Sequence, residues 1–216
     1  MQQLIPVFFL VLLISCANGQ SNSSLPIFGE KKVHKVSRNG KTSMDTIYHT
    51  IGPFSFVNQL NDTVDNNTLK HKVFITSCFH STFQTKTDTL LEVALDSVHR
   101  MLGQVPDFYI ISYTIDPAFD TPEVLQKYCQ NKHIVGKNWH FLTGQSTDSL
   151  YRFLRYKYFL VADRDTASVA TGGFIHSNQI VLVDRRQRIR GFYDVAKKAN
   201  INQLINDAKI LLEEEP

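Results

Sequence analysis

A thiol and an imidazole stand two residues apart in the segment 71–95, HKVFITSCFHSTFQTKTDTLLEVAL. Alternate residues of a strand point to the same face, so Cys78 and His80 would lie side by side. Thiolates and imidazoles are ligands for soft and intermediate transition metals. A thiolate near a helix N-terminus is also a stabilised nucleophile. The pair therefore predicts a metal ligand set or a reactive thiol, and the alternative is a core cysteine beside an ordinary loop histidine.

The same segment predicts a strand that runs directly into a helix. A β-branched and aromatic run at 73–75 is typical of a buried strand, which we expect over 71–80. Apolar residues then recur at helical spacing and predict a helix from about Asp88 to Leu102. In an open α/β sheet, ligands bind outside the carboxyl ends of the strands, where helix N-termini offer free N–H groups. The connecting loop is therefore the expected position of a site.

The remaining pattern alternates strands and helices. Turn signals predict N-terminal hairpins around Asn39-Gly40 and Asn61-Asp62. Further strands are expected at 107–115, 139–142, 172–183 and 189–193, and further helices at 147–159, at 201–212 and from Asp120 or Thr121 through Cys129. This order predicts an α/β fold, a thioredoxin-like three-layer sandwich with an N-terminal β-hairpin extension.

Composition limits the class of protein. The chain has 216 residues, of which 43% are hydrophobic, and this suits one domain with a sizeable core plus a leader. A formal net charge of +3 is too small to indicate a nucleic-acid-binding protein. Besides Cys16, the cysteines are Cys78 and Cys129, which form neither a CxxC nor a CxxxC spacing. A disulfide between them remains open in an oxidising compartment.

An apolar stretch near the start of the chain predicts a leader. Leu4–Ile14 has about the length of a signal-peptide core and is too short to span a bilayer. It runs into the sequence LISC, which resembles a bacterial lipobox with Cys16 as the lipidated residue. A plain secretory signal followed by a chance cysteine is the alternative.

The leader sets the expected organisation and location. We expect residues 1–15 to be a lipoprotein signal peptide, 16–44 a tether and N-terminal extension, and 45–216 the folded domain. Lipid chains on Cys16 would anchor the protein to a bacterial membrane. The expected location is therefore extracytoplasmic and periplasm-facing.

Four segments carry a resemblance to a known family. Residues 114–125 resemble DPxxDTPEVL, 139–144 resemble WxFLTG, 176–184 resemble HSxxxxLVD, and 190–194 resemble RGxYD. They occur in the order of the Sco/SenC family, which comprises copper chaperones and thiol-redox proteins of cytochrome c oxidase assembly. The resemblance implies a thioredoxin-like fold and a copper site made of a CxxxC pair and one distant histidine.

The resemblance assigns the distant histidine to His176, but the cysteine pair has no clear counterpart. In one alignment Cys78 is the first cysteine and Thr82 replaces the second. In the other, ungapped alignment, Phe83 and Thr87 replace both cysteines. We prefer the second, because the first shortens a central strand by about five residues, roughly 16 Å. Cys78 is then a buried strand thiol.

Either alignment breaks the two-thiol motif, so the internal disulfide of a thiol oxidoreductase cannot form. Copper binding is expected to be weak or absent. Any metal would be held by Cys78 and His176, with His80 as a possible third ligand.

Three functions follow from these expectations. The preferred one is a membrane-tethered, non-enzymatic Sco-like protein of the oxidase-assembly and copper–thiol homeostasis lineage, which binds an oxidase subunit or another protein partner. The alternatives are a copper chaperone with a remodelled Cys78/His176 site and a thiol peroxidase that uses Cys78 alone.

Overall fold

A computed structural model describes residues 24–82, 85–144, 146–165, 167 and 173–214. The strands are β1 (Lys31–Arg38), β2 (Lys41–Tyr48), β3 (Ser55–Val57), β4 (Thr63–Asp65), β5 (Val73–Phe79), β6 (Phe108–Thr114), β7 (Trp139–Leu142), β8 (Ala162–Arg164), β9 (Phe174–His176), β10 (Gln179–Val183) and β11 (Ile189–Asp194). The helices are α1 (Lys86–Leu102), α2 (Pro122–Asn131), α3 (Thr147–Phe153), which continues into a π-helical turn (Leu154–Tyr158), and α4 (Lys198–Glu213).

A five-stranded sheet in the order β11-β10-β5-β6-β7 forms the centre of the molecule. Strands β5, β6 and β7 are parallel, whereas β10 is antiparallel to β5 and to β11. All seven residues of β5 are buried, as expected for a central strand with both faces covered. The predicted α/β, thioredoxin-like architecture is confirmed.

Two hydrophobic clusters cover the two faces of the sheet, because alternate residues of β5 point in opposite directions. Val73 and Ile75 belong to the first cluster, which includes buried residues of α1, α2 and α4 and is called the α1 cluster here. Phe74 and Cys78 belong to the second, which includes Tyr113 and is called the Tyr113 cluster. Cys129 belongs to the α1 cluster, so the sheet separates the two cysteines, and both thiols are free.

The single strand predicted over 172–183 is wrong. Strand β9 pairs with β8, a short strand that sequence reasoning missed, whereas β10 joins the central sheet. The polar pair Ser177-Asn178 separates them. Ser177 accepts a hydrogen bond from the Val161 N–H at 2.8 Å, and Asn178 donates one to Asp194 at 2.8 Å. These bonds fix the change of direction between β9 and β10.

The helix predicted over 147–159 is also corrected in part. Regular α-helix ends at Phe153, and the chain widens into the π-helical turn before reaching Phe159. Phe159 has a φ of 57°, in the left-handed region, which terminates the helical segment.

The predicted N-terminal hairpin is confirmed as β1 and β2. Its turn residues Asn39 and Gly40 have φ values of 50° and 73°, as the two central positions of a type I′ turn require. Only Val36 and Thr46 of the two strands are half-buried, and the other positions are exposed. The hairpin therefore extends from the folded body. Just before β1, the Phe28 N–H donates a backbone hydrogen bond of 2.9 Å to the Ile189 carbonyl oxygen, which joins the chain to that body.

Within the described part of the chain, no helix combines the length and apolar character that a bilayer span needs. The predicted signal peptide and Cys16 lie outside the described residues.

Candidate functional site

Cys78 lies one residue before the end of β5, directly beside Tyr113 of β6. Its side chain is fully buried in the Tyr113 cluster, and burial raises the pKa of the thiol to about 12. At neutral pH the group is therefore a protonated thiol without access to solvent. A thiolate is the form that binds metal and attacks substrates, and this position disfavours it.

His176 lies on β9 and makes two polar contacts through its ring. Nε2 is 2.9 Å from Oδ1 of Asp88, and Nδ1 is 3.1 Å from the carbonyl oxygen of Ser177. The side chains of His176 and Asp88 are only 5% and 7% exposed, so this is a buried pair. A carbonyl oxygen can only accept a hydrogen bond, and Nδ1 is therefore the donor in its contact.

Asp88 is positioned by the first turn of α1, where it completes a capping box with Thr85. The Thr85 backbone N–H donates to Oδ2 of Asp88 at 2.9 Å, and the Asp88 N–H donates to the Thr85 hydroxyl at 3.2 Å. Burial would raise the pKa of Asp88, but hydrogen bonds from His176 and Thr85 hold that pKa below its ordinary value. The carboxylate is ionised at neutral pH, with Oδ2 bound to Thr85 and Oδ1 in contact with His176.

The consequence for His176 follows from these two contacts. Both ring nitrogens face oxygen acceptors, Nε2 the carboxylate of Asp88 and Nδ1 the carbonyl of Ser177. Both ring nitrogens are therefore engaged in polar contacts within a buried pair. A metal ligand needs a free lone pair on one nitrogen, so His176 would have to give up Asp88 before it could bind a metal.

His80 follows the end of β5 on the same face as Cys78, as the spacing predicts. Its ring packs against Phe174 with centroids 4.9 Å apart. In the ranges that the structure describes, no group of three His, Cys, Asp or Glu side chains is arranged to hold a metal ion.

A buried carboxylate, Asp120, holds the chain just after β5 in place. The sequence left the start of α2 open between Asp120 and Thr121, and the cap is Thr121, whose side chain accepts from the Val124 N–H. Asp120 is fully buried and accepts hydrogen bonds from the hydroxyls of Ser81 and Thr114. Burial raises its pKa despite these bonds. Asp120 thus ties the ends of β5 and β6 to the start of α2.

The two sequence alignments place the missing cysteines at different points of this site. Phe83 lies outside the described residues, but Thr87 is half-buried in the first turn of α1, directly before the Asp88 that contacts His176. Cys78 instead points into the Tyr113 cluster, and Thr82 is exposed. His176 therefore contacts the first turn of α1 directly beside Thr87, and this position favours the ungapped alignment.

The sequence contained a signal for only one member of the pair formed by Asp88 and His176. Thr85 and Asp88 have the spacing of a capping box before an apolar helix, so the position of Asp88 in the first turn was predictable. Its partner was not, because His176 is 88 residues away along the chain.

Comparison with known proteins identifies one family. The SCO1/SenC family model matches residues 42–213. A curated relative, the SCO1 protein homolog of Bacillus subtilis (strain 168), is 24% identical over 170 residues, which cover 79% of this chain and 86% of that protein.

Solved structures share the fold. A SCO1/SenC family lipoprotein from Bacillus anthracis str. Ames aligns with a TM-score of 0.68 and 23% identity, covering 76% of this chain and 96% of that chain. BsSco, a member of the Sco family of cytochrome c oxidase assembly proteins with a disulfide switch, aligns with a TM-score of 0.67 and 23% identity over 77% and 95% of the two chains. Copper-bound ScoI from Bradyrhizobium japonicum aligns with a TM-score of 0.60 and 19% identity over 74% and 98%.

Proposed function

Because the chain belongs to the SCO1/SenC family, we propose that it is a membrane-tethered, non-enzymatic member of the oxidase-assembly lineage whose copper–thiol site is lost. The observation that carries this proposal is the buried pair of His176 with Asp88, at 2.9 Å. The histidine that the family resemblance assigns to copper is already held by a carboxylate.

The available donors do not fit copper in the family's manner. Copper in such a site needs two thiolates and one unprotonated imidazole nitrogen. Here Cys78 is buried and its pKa is raised to about 12, while both nitrogens of His176 face acceptors. Thr87, at one of the two cysteine positions of the ungapped alignment, has only a hydroxyl. Any residual binding through Cys78 and His176 would need both side chains to leave these environments.

The same arguments bear on a thiol peroxidase. A peroxidatic cysteine has a lowered pKa and access to solvent, whereas Cys78 has neither. What remains is a thioredoxin-like scaffold that binds a partner. That partner is an oxidase subunit or another protein of the assembly process, in keeping with the family to which BsSco belongs.

The proposed location is the outer side of a bacterial membrane, facing the periplasm. The lipobox-like sequence that ends at Cys16 supports a lipid anchor, and one solved relative is described as a lipoprotein. Residues 16–24 would then tether the domain, since Leu25 is already bound to its body.

The anchor is tested by replacing Cys16 with alanine in the full chain. We expect the wild-type protein to fractionate with membranes and to incorporate labelled palmitate, and the Cys16→Ala protein to lose the label. Cys129→Ala provides the matched control, since it removes a thiol from the folded domain. Undiminished labelling of the Cys16→Ala protein would rule out lipidation at this residue.

The loss of the site is tested by titrating the reduced chain with Cu(I) against a chromophoric chelator of known affinity. We expect no stoichiometric retention of Cu(I), and no difference between the wild-type protein and the His176→Ala and Cys78→Ser variants. Retention of one equivalent that both substitutions abolish would instead establish the remodelled Cys78/His176 site.

A further inference from the structure

We propose that the β1–β2 hairpin lies against an anionic membrane surface. The face that meets the lipid headgroups contains Lys31, Val33, Lys35, Met44 and Tyr48. The proposal extends the proposed lipid anchor from a point of attachment to a docking surface, and in that respect it rests on the proposed function.

The hairpin concentrates positive charge. Residues 31–48 contain one carboxylate, Asp45, and five cationic side chains, Lys31, Lys32, Lys35, Arg38 and Lys41. This excess of four exceeds the formal net charge of +3 of the whole chain, so the remainder of the protein is slightly acidic. Among the described residues, only Lys32 of the five has a carboxylate at ion-pair distance, Glu30 at 3.7 Å. Of the other four cations, Lys31 and Lys35 lie on one face of the hairpin, and Arg38 and Lys41 lie on the opposite face beside the turn.

One face of the hairpin combines lysines with exposed apolar side chains. The register places Lys31 opposite Tyr48 and Lys35 opposite Met44, and Val33 lies between these pairs on the same face. Val33, Met44 and Tyr48 are 54%, 68% and 37% exposed. The only carboxylate, Asp45, faces His34 on the opposite face.

An acid-free face of this kind matches a membrane interface. Apolar side chains can enter the boundary between headgroups and acyl chains, while the long lysine side chains keep their ammonium groups among lipid phosphates. A soluble anionic partner would satisfy the charges but would leave Val33 and Met44 without an apolar environment.

The tether places the hairpin near the bilayer. The folded body begins by Leu25, whose carbonyl oxygen accepts a hydrogen bond of 2.7 Å from Arg190. With a lipid on Cys16, residues 17–24 span at most about 28 Å when fully extended. Strand β1 begins six residues after Leu25. A tether of this length keeps the basic hairpin within reach of lipid headgroups, whose field then acts on it over roughly 8 Å at physiological salt.

The test uses the chain from Ser24 to Pro216, which contains every described element and both hydrophobic clusters. Sedimentation measures its binding to vesicles of phosphatidylcholine with phosphatidylglycerol and to vesicles of phosphatidylcholine alone. We expect binding to the anionic vesicles only, with weakening at high salt. Lys31→Glu/Lys35→Glu should reduce the affinity about tenfold or more.

Lys127→Glu/Lys209→Glu is the matched control, because it changes the net charge equally at exposed helical positions outside the hairpin. It should bind almost as well as the unmodified chain. Circular dichroism and thermal unfolding of all variants verify that each is folded. Equal losses in the two charge-reversal variants would overturn the proposal, because binding would then depend on net charge and not on the hairpin.

A second variant separates lipid from other polyanions. Val33→Ser/Met44→Ser keeps every charge and should weaken vesicle binding without altering binding to dextran sulfate. If dextran sulfate is bound as tightly as vesicles and this variant behaves as wild type, the hairpin is a general polyanion surface and the membrane proposal is wrong. The tested chain lacks Cys16, so a failure of lipidation would leave these results unchanged.

Discussion

Replacing Phe83 and Thr87 together by cysteine is expected to give the protein a reducible disulfide and stoichiometric Cu(I) binding, neither of which we expect of the wild-type chain. In the ungapped alignment these two positions correspond to the family's CxxxC pair. Thr87 lies in the first turn of α1, next to the residue that contacts His176. A thiolate there would also benefit from the helix N-terminus.

The measurement counts free thiols with and without reductant and then titrates the reduced protein with Cu(I) against a competing chelator. Thr82→Cys is the control, because it creates a CxxxC sequence with Cys78. We expect no gain from it, since the Cys78 thiol is buried in the Tyr113 cluster. A gain of both properties by Thr82→Cys, and not by the double variant, would show that the alternative alignment is correct.

Adding Asp88→Asn to the double cysteine variant should raise the Cu(I) affinity further. The neutral amide is a weaker hydrogen-bond acceptor than the carboxylate, so Nε2 of His176 is released more readily to coordinate a metal. This comparison measures how strongly the carboxylate competes with a metal for the imidazole.

Removing Asp88 from the otherwise unmodified protein is expected to lower the free energy of unfolding by about 3 kcal/mol or more. Asp88→Ala leaves His176 buried without its partner and also removes the N3 side of the capping box. Urea unfolding followed by circular dichroism gives the value. Asp96→Ala is the matched control on the same helix, because it removes an exposed ion pair with Arg100 and should cost well under about 1 kcal/mol.

A double-mutant cycle with His176→Ala isolates the contact itself. If the pair stabilises the fold as the geometry indicates, the second substitution should cost much less in the Asp88→Ala background than in wild type. Equal stability losses for Asp88→Ala and Asp96→Ala would contradict a strong buried pair.

Much of the fold was predictable because, in most segments, the spacing of apolar residues indicates whether the segment is a helix or a strand and which side of it is buried. The continuous apolar run at 107–115 predicts a central strand, and this segment forms β6. The Asn39-Gly40 turn specifies a hairpin through two left-handed positions. The prediction failed at 172–183, where an apolar pattern continues through Ser177 although the chain changes sheets. A local hydrophobic pattern indicates that a segment is buried, but it does not indicate which neighbouring element buries it.

By itself, the sequence determined the α/β class, the order of the elements, the resemblance to one family and the absence of its cysteine pair, since all of these are properties of short stretches of chain. Only the tertiary structure decided that Cys78 points into the core, that Asp120 joins three elements and that Asp88 holds His176. The physical reason is that hydrogen bonds between buried polar groups require contact within about 3 Å. Such contact depends on how distant elements pack, which no single segment encodes.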